Sequence, residues 1–387
     1  MTRIGGANLI MLTTIATSGA RFSAAADWSN TLEAAINAAY VTNPALVVGS
    51  SVTDESAQVS VDGNTTAQTE RGQLTVVPRF FALRYAHETD LDFNEGSLEL
   101  TYLEKLERGQ WTFDAQGLAD STVTSELGTT GITYVNRRHT VGTVSLSYQH
   151  NSTERLAWQV QAGGQLTRYT DAAEFGLVDY NYGSVLFGPI WNFSERVQGS
   201  LTLVADRLTP HGATSQNDYS ANLQLKRSFS EQYDWRVSVG GTRTDYGSST
   251  YGSAASQTTS VYELGTTRKG ERVQWDVSIK RAVLPIGIGL LAPQTVATLA
   301  VAVGTSERSS LNFTLNGIRT DSVLIDQYVV YHGGRWVQAG AEWRYRFSPQ
   351  WALSVAGILA RARYTSDGDW AHSNQARLGI IWNSGRL

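Results

Sequence analysis

The chain has 387 residues with a formal net charge of −4, charged residues at 17%, 36 Gly, 17 Tyr, 11 Trp, 11 Phe and no Cys. The acidic balance excludes a nucleic-acid binder, whose surface is normally strongly basic, and the lack of Cys excludes disulfides, thiolate metal sites and a Cys nucleophile. Aromatics and Gly replace the runs of Ala, Leu, Glu and Lys that build helical domains.

At the N-terminus Arg3 supplies a positive charge, Ala7 to Thr17 is mostly apolar, and Ser23 to Ala26 offers small residues for cleavage. This pattern predicts a secretory signal over residues 1–25. Residues 26–43, which include DWSNTLEAAINAAYVTN, read as a short leader carrying a helical turn or two. A first strand is expected from about Pro44 to Ser51, opening a β domain over 44–387. No segment approaches the run of about 18 apolar residues that a spanning helix needs.

From Thr69 onward a small cluster recurs: Thr69-Glu70-Arg71, Leu106-Glu107-Arg108, Thr153-Glu154-Arg155, Ser194-Glu195-Arg196, Ser230-Glu231-Gln232, Gly270-Glu271-Arg272 and Ser306-Glu307-Arg308, with Ser348-Pro349-Gln350 as a degenerate eighth copy. The interval of about 40 residues is that of a supersecondary repeat. Between the clusters apolar and polar residues alternate, as strands with two unlike faces require. Val273, Trp275, Val277 and Ile279 oppose Gln274, Asp276, Ser278 and Lys280, and the segments before Ser348 and after Gln232 behave the same way. A propeller blade would need four short strands per repeat, and here there are two long ones.

Each cluster is therefore a tight turn between two long strands. The opposite connections, such as Asp120 to Asn136 and Gly317 to His332, are long and polar. Short turns at one end and long loops at the other are the mark of a transmembrane antiparallel up-and-down β-barrel, with periplasmic turns and extracellular loops. Eight turns give sixteen strands. A first strand and a closing one from about Ser373 to Trp382 make eighteen, with sixteen as the alternative, and both termini fall in the periplasm. Trp111, Trp158, Trp235 and Trp275 each stand four residues after a marker Glu, and Trp351 follows the eighth turn. A shared offset from the turn predicts an aromatic girdle at the lipid headgroup level.

A barrel of this size encloses an aqueous lumen. The face opposite the Trp side is polar and of mixed sign: Arg79, Glu99, Asp114, Lys226, Arg236, Asp276, Lys280, Glu342, Arg344, Arg346 and Arg377 are the lumen-lining candidates, with Gln159 and Gln161. These charges either brace a wet wall or select a solute. Near the far ends of the strands, Arg84-Tyr85, Arg168-Tyr169, Arg243 with Tyr246, and Arg363-Tyr364 form an upper girdle with basic neighbours for lipid phosphate, or else a sugar-stacking surface. The apolar stretch from Val283 to Pro293 folds inward as a constriction, meets a partner, or extends two strands. The six His show no metal-ligand spacing and no Gly-x-Ser-x-Gly elbow is present. No catalytic residue, metal or cofactor is assigned, and a barrel hydrolase is the least favoured reading.

The run TERGQLTVVPRFFALRYAHETDLD from Thr69 to Asp92, the segment DSTVTSELGTTG from Asp120 to Gly131 and the FSER and FSEQ turns resemble uncharacterised outer-membrane β-barrels of exopolysaccharide and exosortase-linked (PEP-CTERM-associated) systems. The resemblance covers most of the chain after Asn43. It implies an outer-membrane location, outer-membrane lipid as the surrounding partner, and a role with extracellular polysaccharide or its export components. The expectation is a non-enzymatic channel or secretion conduit. A plugged structural or assembly barrel that binds a partner through its loops is the alternative.

Overall fold

The computed structural model describes residues 26–127, 136–171, 173–247, 255–325, 328–365 and 368–385; the expected signal segment lies outside them. Twenty strands are present: β1 (Asp27–Thr42), β2 (Thr53–Gln68), β3 (Gly72–Tyr85), β4 (Phe93–Leu106), β5 (Gly109–Ser121), β6 (Arg138–Asn151), β7 (Leu156–Tyr169), β8 (Tyr180–Ser194), β9 (Val197–Pro210), β10 (Gln216–Ser230), β11 (Tyr233–Tyr246), β12 (Ala255–Lys269), β13 (Val273–Ile286), β14 (Leu290–Gly304), β15 (Ser309–Thr320), β16 (Val323–Ile325), β17 (Tyr328–Tyr331), β18 (Gly334–Arg346), β19 (Trp351–Arg363) and β20 (Ala371–Asn383). Eighteen of them form one antiparallel sheet in which each strand pairs with its sequence neighbours, and β1 pairs with β20 to close it. The short β16 and β17 pair only with each other, inside the connection from β15 to β18. Closure leaves the sheet without a free end, which is what a β structure in hydrocarbon must achieve to pair its backbone groups. Among the described residues no helix is long and apolar enough to cross a membrane.

The recurring clusters are the tight turns. Thr69 Oγ1 accepts a hydrogen bond from the Gly72 amide at 2.8 Å, Thr153 Oγ1 from the Leu156 amide at 3.0 Å, Ser306 Oγ from the Arg308 amide at 3.2 Å and Ser348 Oγ from the Trp351 amide at 3.1 Å. A hydroxyl at the start of the turn thus satisfies a backbone donor that the ladder leaves over. Asp27 and Asn383, the ends of β1 and β20, both lie at this short-turn end.

Register fixes two faces. One carries large exposed apolar side chains around the barrel, among them Ile36 at 67% and Leu359 at 57% exposure; a continuous belt of this kind belongs against lipid. Trp111, Trp158, Trp235, Trp275 and Trp351 all stand on this face, close to the short turns. Trp111 stacks on Tyr148 with centroids 4.3 Å apart, and Trp158 on Phe187 at 5.4 Å. Trp343 stacks on Tyr345 at 5.8 Å at the same end of β18.

The start of the barrel differs from the sequence reading. Residues 27–42, expected as a leader, are β1, and the expected first strand near Pro44 to Ser51 lies in the connection from β1 to β2. Trp28, Leu32, Ile36 and Tyr40 recur every fourth residue, a spacing that keeps them on one face of either a helix or a strand. Closure decides for the strand: β1 pairs with β2 along its whole length and with β20 from Glu33 to Thr42. Eighteen barrel strands result, with the first beginning 17 positions earlier than expected.

Candidate functional site

Arg79, Glu99, Asp114, Lys226, Arg236, Asp276, Lys280, Glu342, Arg344, Arg346 and Arg377 all lie on the face opposite the exposed apolar belt, which is the inward one. Most form clusters bridging neighbouring strands. Arg79 on β3 reaches Glu99 on β4 at 2.9 Å and Asp62 on β2 at 3.8 Å. Arg236 on β11 pairs with Glu263 on β12, whose register partner on β13 is Lys280. Glu342 on β18 contacts Arg344 at 3.0 Å and Arg377 of β20 at 3.6 Å, and Arg344 reaches Glu33 of β1 at 3.7 Å. The small inward residues Ser354 and Ala356 of β19 leave room for that span. Asp114 and Asp276 instead accept hydrogen bonds from Thr101 at 2.8 Å and Thr267 at 2.6 Å. Among the described residues no carboxylate lies within ion-pair distance of Lys226 or Arg346. The Arg79 side chain is 51% exposed and Asp62 48%, so this wall faces open interior space, as expected for eighteen strands.

A hairpin folds into the long-loop end. Pairing of β12 with β13 stops at Tyr262 and Arg281, and pairing of β14 with β15 stops at Gln294 and Thr320. Beyond those points β13 and β14 pair only with each other, leave the wall and turn at Gly287 to Gly289. The apolar stretch from Val283 to Pro293 is this hairpin: it both extends two strands and folds inward. Its tip is bound by the neighbouring stretch of wall from β8 to β11. The Val178 amide donates to the Gly287 carbonyl at 2.8 Å. Gln216 at the top of β10 donates through Nε2 to the Gly289 carbonyl at 2.9 Å and accepts from the Leu291 amide at 2.8 Å. The Tyr246 hydroxyl donates to the Leu291 carbonyl at 3.0 Å. Ile286 and Leu291 are each 1% exposed, packed in a cluster with Tyr180, Leu208 and Tyr246 from the inner wall and with Val323 and Tyr331 of the β15–β18 connection. Gly289 adopts φ +74 at the turn, a conformation that favours glycine.

Glu126, in the connection from β5 to β6, stands over the hairpin at 3% exposure. A side chain on Gly287 would place its Cβ 2.5 Å from Glu126 Oε2, so glycine there admits the carboxylate. Glu126 Oε1 accepts from the Tyr169 hydroxyl at 2.5 Å, Tyr169 stacks on His139 with centroids 4.8 Å apart, and His139 Nδ1 is 2.7 Å from Asp120 Oδ1. Beyond Glu126, Leu127 packs against Leu46, Ala362 and Ala371 at the tops of β1, β19 and β20. Beneath the hairpin lies a cavity of about 390 Å³ lined by Tyr182, Ser184, Asp206, Asp218, Glu263 and Lys280, among others.

The Arg and Tyr residues near the strand tops do not share a girdle. Arg84, Arg168 and Arg243 are outward, whereas Tyr85, Tyr169 and Tyr246 are inward, because adjacent residues of a strand point to opposite faces. Arg84 and Arg168 are held alike: Arg84 donates to the Leu83 and Phe93 carbonyls and to Asn94, and Arg168 to the Thr167 and Tyr180 carbonyls and to Asn181. Inside, Asp54, Glu95, Asp120, Asp206 and Asp218 occupy the upper part of the wall, and Lys280 lines the same cavity as Asp206 and Asp218. Sequence reasoning missed Gln216 and Glu126. Gln216 has no local signal, and Glu126 was visible only as part of the segment that carries the resemblance. Among the described residues no group of three or more His, Asp or Glu is placed to hold a metal ion.

No protein-family model matches the chain, and no curated protein matches it. Solved structures similar to it include Acinetobacter baumannii OccAB3, at 10% identity with a TM-score of 0.42, covering 92% of this chain and 99% of that one. Pseudomonas aeruginosa OpdL is similar at 11% identity and a TM-score of 0.43, covering 93% and 99%. The FrpB iron transporter of Neisseria meningitidis is similar at 7% identity and a TM-score of 0.44, covering 91% and 81%. The barrel itself is established by this chain's own strand pairing.

Proposed function

We propose that this protein is a bacterial outer-membrane channel without enzymatic activity, closed at its extracellular end by the β13–β14 hairpin acting as a gate, with both chain ends in the periplasm. The observation that carries the reading is the pairing of a wet, charged inner wall with one hairpin that leaves the wall to cross the mouth. The eleven inward charged residues would line the lumen, and the five Trp near the short turns would anchor the barrel at the periplasmic interface of the membrane. The cargo is a polar solute. Extracellular polysaccharide, which the resemblance implies, is the first to test, because the hydroxyls, carboxylates and Tyr182 around the cavity can hydrogen-bond and stack on sugar.

A permanently plugged barrel that serves assembly or binds a partner is the second reading, and the complete burial of Ile286 and Leu291 favours it. Reconstitution in planar bilayers separates the two. Discrete conductance steps that a soluble oligosaccharide blocks support a gated polysaccharide channel. Steps that the oligosaccharide leaves unchanged retain the channel and remove that cargo. Folded protein that stays silent even with the hairpin released supports the plug.

A further inference from the structure

The outward face changes character near the long-loop end. Below, it is apolar; above, Arg319 on β15, Arg335 on β18 and Arg363 on β19 stand directly opposite one another in register, with Arg361 on the same face two residues from Arg363. The register partner of Arg361 on β20 is His372, also outward. Directly opposed residues in an antiparallel pair have Cβ atoms about 4.5–5.5 Å apart, and like charges so placed repel. Three other Arg on this rim are answered by carboxylates, Arg84 lying 4.0 Å from Asp92, Arg168 3.9 Å from Asp179 and Arg243 3.0 Å from Asp245. The outward Arg138 and Arg207 have no carboxylate within ion-pair distance among the described residues, but neither faces another Arg in register. In the β15–β18–β19 row only Arg319 is answered, by Asp321 at 3.0 Å. Among the described residues no carboxylate lies within ion-pair distance of Arg335, Arg361 or Arg363, and Nε of Arg363 is buried without a hydrogen-bond partner. The guanidinium of Arg363 lies over the Trp370 ring, 5.4 Å from its centroid, which fixes its position without neutralising it.

We infer that Arg335, Arg361 and Arg363 form a binding site for the headgroup of a phosphorylated glycolipid in the outer leaflet. The site rests on the reading of the long-loop end as extracellular. Guanidinium forks match phosphate oxygens and are well suited to pairing at a partly desolvated interface. Three unanswered cations call for more negative charge than the single phosphate of an ordinary phospholipid brings, and a sugar headgroup with two phosphates supplies it. The row also sits where the apolar belt ends, so a lipid with its chains against Val337 and Leu359 would place its headgroup at these guanidinium groups.

The test uses the full chain purified in a zwitterionic detergent and titrated with a diphosphorylated glucosamine-disaccharide lipid, its dephosphorylated form and phosphatidylglycerol, with binding read by native mass spectrometry. The diphosphorylated lipid should bind at least tenfold more tightly than either of the others, with an affinity that falls as salt rises. R335Q/R363Q should remove that preference, while R243Q, at a position answered by Asp245, should keep it. Equal binding of the phosphorylated and dephosphorylated lipids by the unaltered protein would overturn the proposal without recourse to any variant, as would a preference that survives in folded R335Q/R363Q. Conductance does not enter this assay. A silent barrel that prefers the diphosphorylated lipid would contradict the channel reading alone, and a conducting one without the preference would contradict only this site.

Discussion

Gln216→Ala isolates the latch of the mouth hairpin. The side chain makes two hydrogen bonds to hairpin backbone, to the Gly289 carbonyl at 2.9 Å and from the Leu291 amide at 2.8 Å, in a buried setting. Truncation leaves both groups unpaired, and each buried unsatisfied group costs about 1–3 kcal/mol. When the hairpin swings out, water satisfies both, so the penalty falls on the closed state. Closure should weaken by about 2–6 kcal/mol, and even the lower figure is a factor of about 30 in the closed-to-open ratio. Single-channel recording of reconstituted protein reads that ratio as open probability. An open probability within threefold of the unaltered protein, in a variant whose barrel still shows heat-modifiable migration, would refute the latch. The converse perturbation is a lock. A Cβ at Gly289 would lie 3.4 Å from that of Val178, near the separation of about 3.5–4.5 Å that a disulfide spans. V178C/G289C in this Cys-free chain should therefore be silent when oxidised and regain openings on reduction, against a strain of about 1–2 kcal/mol for a side chain in the left-handed region. Openings that persist in fully oxidised protein would place the conducting path elsewhere.

Other parts of the barrel yield predictions of their own. Trp158→Asp removes a stacked aromatic pair, worth about 0.5–1.5 kcal/mol beyond its buried area, and puts a charge at the lipid interface, so the yield of heat-modifiable barrel in the membrane should fall; a normal yield would remove Trp158 from the girdle. Arg79→Ala strips the counter-cation from Asp62 and Glu99. Because that cluster is half exposed, stability should change by no more than about 1 kcal/mol, while the reversal potential under a KCl gradient should move toward potassium selectivity. An unmoved reversal potential would mean that ions do not pass this cluster. His87, in the loop after β3, is raised above the ordinary imidazole value by its hydrogen bond to Asp54 and by that carboxylate's charge. A folded value above the unfolded one means that its stabilising contribution is complete below about pH 6.5 and is lost as pH rises through the raised value. In Asp54→Asn the His87 titration followed by NMR should move down toward the ordinary value, and an unchanged midpoint would contradict the assignment.

Much of the barrel was legible because its physics is local and repetitive. Turns such as Ser306-Glu307-Arg308, most of them led by a hydroxyl residue, recur where a hairpin must reverse at one height. Period-two alternation then assigns each residue to a face, as with Arg344 inward and Trp343 outward. The same rule, applied to neighbours, separates Arg168 from Tyr169; treating them as one girdle overlooked it. Two things depended on contacts distant in sequence. The first strand carries Trp28, Leu32, Ile36 and Tyr40 at a spacing common to helix and strand, and pairing with β2 on one side and with β20, more than 300 residues away, on the other selects the strand. The hairpin from Val283 to Pro293 was visibly apolar, but an apolar loop can face lipid, a partner or a lumen. Gln216, Val178, Tyr246 and Glu126, brought to its tip by two other strands and two connections, decide that it turns inward, because there its backbone finds hydrogen bonds and its side chains find a dry cluster. The sequence by itself determined a closed barrel with an apolar outside and a charged inside, whereas the hairpin folded into its mouth belongs to the tertiary structure alone.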